Sequence, residues 1–218
     1  MLVENLAERT IGGLHDSLAQ MLPEITLDTP VLDIGCGTGA WLERLAGHGF
    51  NKLHGIDRDT SQFRAVKATC SQANLDRDEV NLNGLKYGLI TAIEVVEHLE
   101  NPGRLFMLAS EHLDAKGYLL LTTPNIHSVA SRLKFLITGK LASFDEKGDP
   151  THIYPVLLTS LERVLPRYSL KIVKRWGYPA EGSLIYRNSV VLLSSLIGMF
   201  VPHREQGDTL CCLIQKQS

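Results

Sequence analysis

The chain alternates between short apolar runs and longer stretches in which apolar positions recur every three or four residues. The runs fall at "PVLDIG" (30–35), "KLHGID" (52–57), "YGLITAIEV" (87–95), "GYLLLTTP" (117–124), "SLKIVKRWG" (169–177) and "DTLCCLIQK" (208–216), with a poorer one at "TCSQANL" (69–75). Their length and content of branched and aromatic residues predict strands. Helical spacing marks 2–22, "AWLERLAGHG" (40–49), a weak stretch near 61–69, "NPGRLFMLASEHL" (101–113), 126–138 and "VLLTSLERVL" (156–165). Glycine ends the second of these and proline opens the fourth, as helix-end chemistry favours. Strand and helix in turn predict an α/β fold, a parallel sheet covered on both faces. The polar connection "GKLASFDEKGDPTH" (139–152) breaks that rhythm. It is long for a compact domain, and such loops often serve as lids. No repeat, low-complexity segment or linker divides the 218 residues, so one domain is expected.

Composition narrows the function classes. A hydrophobic content of 44% and a charged content of 21% are ordinary for a globular domain. The net charge of −2 supplies no global field toward nucleic acid or anionic lipid. Basic residues gather only locally, as at Lys171, Lys174 and Arg175, which read as a solvated strand end. Cys36, Cys70, Cys211 and Cys212 form no C-x-x-C pair, and the neighbours Cys211 and Cys212 should face opposite sides of a strand. A reduced cytoplasmic setting is expected. The start, "MLVENLAERTIGGLHDSL", carries acids and no long apolar core, unlike a secretory signal. "SVVLLSSLIGMFV" (189–201) is too short to span a bilayer. It is expected to pack on the sheet as a helix, with contact to a membrane surface as the alternative.

The densest chemistry lies in "VLDIGCGTGAW" (31–41). A strand, a glycine turn and a helix bring backbone N–H groups against a ligand. "GCGTGA" satisfies a dinucleotide pattern on its own, but Asp33 precedes the first glycine, and a carboxylate there repels a pyrophosphate. A nicotinamide dehydrogenase is disfavoured for that reason. S-adenosylmethionine, with an ammonium and a sulfonium, suits the same acid. Asp57 ends the second strand about 20 residues later, where a carboxylate can accept from both ribose hydroxyls. Asn74, at the end of the third strand, can bond an adenine edge. Both residue types also favour turns, the competing reading at each position.

"VLDIGCGTGAW", "GIDRD", "ITAIEVVEHLENP" and "GYLLLTTPN" together resemble the class I S-adenosylmethionine-dependent methyltransferases over roughly 30–176. The resemblance implies a Rossmann-like, doubly wound seven-stranded sheet with the last strand antiparallel. It implies a cofactor-binding half at 30–125 and an acceptor-side half at 126–218, after an N-terminal helix within 1–29. It assigns Asp33, Gly35, Gly37 and Gly39 to the cofactor loop and Asp57 to the ribose; Asn74 and Glu94 are taken as further candidate cofactor contacts. "TPNIHSVASRLKFLITGK" and "PTHIYP" look more narrowly like bacterial methyltransferases of cell-envelope glycan or lipid biosynthesis.

"IEVVEHL" poses a separate question. Glu94, Glu97 and His98 stand at i, i+3 and i+4, so one helical turn would place all three on one face. Two carboxylates and an imidazole suit Mg²⁺, Mn²⁺ or Zn²⁺. The E-x-x-E-H segment is similar to that of ubiquinone-biosynthesis O-methyltransferases and small-RNA 2′-O-methyltransferases, families that use metal to bind neighbouring hydroxyls. In them a later histidine completes the site, and His152 holds a comparable place. Acids near a helix start are also favoured by its dipole, the plainer reading. Without metal, His98 or His152 is the expected general base. His127, beside the acceptor pocket, is expected to pack, and the remaining histidines are given no role.

Methyl transfer to oxygen on a small molecule, saccharide or lipid-linked intermediate is therefore expected. An RNA 2′-O-methyltransferase and a non-catalytic S-adenosylmethionine-binding protein are the alternatives. The charge balance and the intact loop count against them respectively.

Overall fold

Val31–Ile34 (β1), Leu53–Asp57 (β2), Thr69–Gln72 (β3), Tyr87–Ile93 (β4), Leu113–Pro124 (β5), Leu170–Tyr178 (β6) and Thr209–Lys216 (β7) join in one sheet, ordered β3-β2-β1-β4-β5-β7-β6. The computed structural model describes residues 6–186, 188–198 and 206–217. Pairing is parallel from β3 across to β5, whereas β7 runs antiparallel to both β5 and β6. This is the expected Rossmann-like α/β sheet with its last strand antiparallel.

Alternate strand residues feed two cores, one on each face. Leu32, Ile90 and Cys212 join Leu105, Leu161 and Leu165 on one side. Val31, Leu89 and Cys211 join Leu14, Trp41 and Leu42 on the other. Burial on both faces explains why the central strands read as continuous apolar runs. It also separates the adjacent Cys211 and Cys212, as strand geometry requires. Each fully buried leucine contributes about 1.5–3 kcal/mol of transfer free energy.

The helices are Leu14–Gln20 (α1), Ala40–Gly47 (α2), Pro102–His112 (α3), Val129–Thr138 (α4), Leu158–Val164 (α5) and Asn188–Gly198 (α6). Asn101 and Ser128 cap α3 and α4 through their side-chain oxygens.

Four expectations need correction. The helix expected over 2–22 is only α1 among the described residues, because Gly13 takes φ 79° just before it; residues 1–5 lie outside them. The weak helix near 61–69 is a single 3₁₀ turn, Thr60–Gln62, capped by Asp59. Beyond it the chain turns inward, so that Phe63 and Ala65 lie against Gly39. The third strand stops at Gln72, short of Asn74. The apolar segment from 189 does form a helix, but among the described residues α6 packs chiefly against α4 rather than on the sheet; residues 199–201 lie outside the described residues.

Candidate active site

The carboxyl ends of β1 and β2 meet at the glycine loop. Gly35 takes φ 74°, and a Cβ there would approach Val95 Cγ2 to 2.5 Å, so only glycine lets the loop pass the exit of β4. Gly37 takes φ 51°, and a Cβ on it would meet nothing within 4 Å. That open space lies where a ligand can approach the backbone. Gly39 forms the N-cap of α2 in the left-handed region, so the helix opens directly from the loop with unpaired N–H groups at its start.

Two carboxylates flank this loop in different environments. Asp33 is only 3% exposed, and the β1–β4 register sets it beside Thr91, whose hydroxyl donates to Asp33 Oδ1 at 2.7 Å. Burial pushes the Asp33 carboxyl up to about 7; the Thr91 hydrogen bond opposes that rise and the nearby Asp57 charge adds to it. Asp57 accepts the Gly37 N–H on Oδ2 at 2.8 Å and the Asp59 N–H on Oδ1 at 2.9 Å. Each oxygen keeps a second acceptor position. Asn74 sits in a turn beyond β3, where its Oδ1 accepts the Asp76 N–H at 3.0 Å.

At the end of β4 the geometry departs from the helical expectation. Glu94 takes φ 53°, a costly conformation for a residue with a side chain. It is held there by Thr122, whose Oγ1 accepts the Glu94 N–H at 3.0 Å and donates to Glu94 Oε1 at 2.9 Å. Burial pushes the Glu94 carboxyl up to about 7 against that hydrogen bond. Only Val96–His98 is helical, as one 3₁₀ turn, so Glu94, Glu97 and His98 do not share a helix face. The expected quartet is corrected to a trio: Glu97, His98 and His152 each place a ligating atom within 4.8 Å of the others, and Glu94 is not of the group.

The trio has the chemistry of a cation site. Glu97 is fully buried, and neither carboxylate oxygen has a hydrogen-bond partner; the Thr123 hydroxyl lies close without meeting bonding geometry. Burial, then the Glu94 charge, hold its carboxyl well above the usual range. His152 Nδ1 lies 2.9 Å from the Ser143 carbonyl, and His98 Nδ1 lies 3.2 Å from the Thr151 carbonyl. A carbonyl only accepts, so each ring commits its Nδ1–H there and leaves Nε2 with a lone pair. The Thr151 hydroxyl agrees with this tautomer: it donates to Asp149 at 2.6 Å and so accepts from His98 at 2.9 Å. Burial, then neighbouring His152, lower the His98 pKa. The ring centroids stand 4.7 Å apart.

The long connection supplies His152. Lys134 pairs with Asp145 at 2.7 Å, and the N–H groups of Ile153 and Tyr154 both donate to the Glu97 carbonyl at 2.9 Å. His127 packs as expected, its Nε2 accepting the Leu158 N–H at 3.1 Å. Sequence reasoning missed the hydroxyls of Thr91, Thr122 and Thr151. For the first two the available signal was threonine inside otherwise apolar strands, in "LITAIEV" and "LLLTTPN"; Thr151, in the polar connection, carried none. A cavity of about 770 Å³ lies at the β6 edge by Glu162, Lys171 and Arg175 and is lined by none of these site residues.

A family profile described as a methyltransferase domain matches residues 6–175. The chain belongs to the methyltransferase-domain family. Its sheet has the fold of class I S-adenosylmethionine-dependent methyltransferases. The chain is 30% identical over 105 residues to a mitochondrial ubiquinone biosynthesis O-methyltransferase of Candida albicans, covering 44% of this chain and 32% of the relative. The chain thus spans about a third of that relative's length, and 47% of its Rickettsia conorii counterpart. In fold it resembles an S-adenosylmethionine-dependent methyltransferase of Archaeoglobus fulgidus, with a TM-score of 0.61 at 22% identity, covering 93% and 92% of the two chains. The plantazolicin methyltransferase BpumL in complex with SAH matches with a TM-score of 0.58 at 21% identity, covering 93% and 80%. Among the described residues, no helix is long and apolar enough to cross a membrane.

Proposed function

We propose that this methyltransferase moves the sulfonium methyl group of S-adenosylmethionine to a hydroxyl oxygen of a small molecule, saccharide or lipid-linked intermediate. The observation that carries the choice of oxygen is the buried, unpartnered Glu97 beside His98 and His152, set apart from the glycine loop. The relatives named above, ubiquinone biosynthesis O-methyltransferases, agree with oxygen.

The residues present fit the methyl donor. Gly37 leaves open space at the loop, Asp33 offers a buried carboxylate for the ammonium, and Asp57 keeps acceptor positions for the ribose. Bound there, S-adenosylmethionine supplies an electrophilic methyl group. The protein's work is to align the acceptor with it and exclude water.

The trio fits a divalent ion of the Mg²⁺, Mn²⁺ or Zn²⁺ class. Glu97 would contribute a carboxylate and the two histidines their free lone pairs. A cation held there supplies Lewis acidity that lowers the pKa of an acceptor hydroxyl. In a metal-free arrangement, His98 or His152 would accept the hydroxyl proton on Nε2. An RNA acceptor draws no support from a net charge of −2. The spacing of the four cysteines, with no C-x-x-C pair, suits a reducing compartment such as the cytoplasm.

Incubation with methyl-labelled S-adenosylmethionine and panels of phenolic, sugar and lipid alcohols tests this reading. Label in a base-stable ether is expected. Label recovered on nitrogen or carbon overturns the oxygen assignment, and failure to bind the donor overturns the reading altogether.

A further inference from the structure

Cys36 and Cys70 come from segments that β2 separates, yet their sulfurs stand 3.4 Å apart. Cys36 lies between Gly35 and Gly37 in the loop after β1, and Cys70 lies on β3, the edge strand of the sheet. Gly55 of β2 makes the meeting possible. It pairs in register with Cys70, and a Cβ on it would fall 2.5 Å from Cys36 Sγ and 2.8 Å from Cys36 Cβ. The missing side chain leaves the space through which Cys36 reaches across β2. Cys211 and Cys212, by contrast, are buried in opposite cores.

The two sulfurs differ in access. Cys36 is buried, whereas Cys70 is partly open to solvent at the sheet edge. Burial, then the Asp33 charge, push the Cys36 thiol up; burial also raises Cys70, against the hydrogen bond from Cys36. Both therefore rest as thiols, and Cys70 is the one an oxidant reaches first. The loop carrying Cys36 is anchored on β2 by backbone donors. The Gly35 and Cys36 N–H groups donate to the Ile56 carbonyl at 2.7 and 3.1 Å, and the Gly37 N–H donates to Asp57 at 2.8 Å. Bonding would draw the sulfurs together by about 1.4 Å, a pull applied one residue from Gly37.

We propose that Cys36 and Cys70 form a reversible disulfide with hydrogen peroxide as oxidant, and that this link shifts the glycine loop and lowers its affinity for the methyl donor. Peroxide takes the Cys70 thiol to a sulfenic acid and releases one water. The Cys36 sulfur then attacks the Cys70 sulfur; its proton leaves with the hydroxyl as a second water, and the S–S bond forms. Each sulfur gives up one electron and the peroxide takes up two. The disulfide stands on the thiol geometry alone; its effect on the donor rests on the methyl-transfer reading above.

Peroxide treatment of the full chain, then digestion without reductant and mass spectrometry, tests the link. A Cys36–Cys70 peptide pair is expected, and dithiothreitol should remove it. Hydrogen exchange at residues 35–39 should change on oxidation and return on reduction, with no donor present. By calorimetry, affinity for S-adenosylmethionine should fall about tenfold or more on oxidation and recover with dithiothreitol. Reduced Cys70→Ala should bind the donor like the natural chain and keep that affinity after peroxide. Absence of the peptide pair, or a pair that leaves loop exchange unchanged, would overturn the proposal. A pair with equal donor affinity before and after oxidation would overturn the control of donor binding. Failure of the reduced natural chain to bind the donor would overturn the methyl-transfer reading, while the peptide pair and the loop exchange still decide the disulfide.

Discussion

Asp57 at the end of β2 accepts the Gly37 N–H at 2.8 Å, so this carboxylate fixes the loop proposed to bound the cofactor. Asp57→Ala should therefore weaken S-adenosylmethionine binding by more than tenfold, from loss of charge-assisted contacts worth on the order of 1.5–3 kcal/mol. It should also loosen the loop. Calorimetry with the donor and with its demethylated product measures the first effect, and hydrogen exchange at Gly37 the second. Unchanged affinity for both ligands would remove the ribose assignment.

Asp33 should give the donor affinity a pH dependence. Its carboxyl sits near 7 in the free protein, and a cationic ligand favours the ionised form. Affinity should rise from about pH 6 to pH 8 and then level off, with proton release on binding near pH 7. Titrations in buffers of different ionisation enthalpy count the released proton. Asp33→Asn should abolish the dependence and cost more than tenfold in affinity.

Stability of the free protein should run the other way. Asp33 and Glu94 are both raised to about 7 by burial, far above their unfolded values. The folded state then binds more protons than the unfolded one between about pH 4 and pH 7. The associated stability is present below pH 4 and is lost as pH rises through 7. Thermal unfolding should show the melting temperature falling across that window, and Asp33→Asn should flatten the fall. A melting temperature that rises steadily from pH 4.5 to pH 7.5 would contradict it.

Thr91→Val tests a hydroxyl that the sequence did not announce. The swap keeps the shape and removes the donor at 2.7 Å from Asp33. The carboxyl should rise further, and donor affinity at pH 7 should fall by a few fold. Destabilisation should stay near 1 kcal/mol.

The sheet was legible because its strands are buried on both faces and read as unbroken apolar runs, from "VLDIG" to "LCCLI". Cys211 and Cys212 were separable by strand alternation alone. The helix near 61–69 was not, because Phe63 and Ala65 are drawn to Gly39 by tertiary contact and not by helical period. The quartet failed at Glu94 for a related reason. Spacing of i, i+3, i+4 implies shared position only inside a helix, and the left-handed φ at Glu94 is set by Thr122 on the next strand. His152 was placed by resemblance, while the carbonyls of Ser143 and Thr151 that fix the imidazole tautomers leave no trace in sequence.

Glu97→Gln should have opposite effects with and without metal. In metal-free protein it removes a buried, unpartnered carboxylate, so stability should be unchanged or raised. With Mn²⁺ added, only the natural protein should gain stability, because only it presents an ionisable carboxylate to the ion. Stabilisation of both proteins alike would place the ion elsewhere.

Methyl transfer by metal-stripped enzyme, with labelled donor and an alcohol accepted in the screen above, is the most direct measurement. Label should appear in an ether when Mn²⁺ is added and be absent in chelator, while calorimetry finds the same donor affinity in both, because Asp33 and Asp57 lie on β1 and β2, whereas Glu97 and His98 follow β4 and His152 comes from the long connection after α4. Full transfer in chelator, or transfer that Glu97→Gln leaves untouched, would contradict a cation at Glu97, His98 and His152.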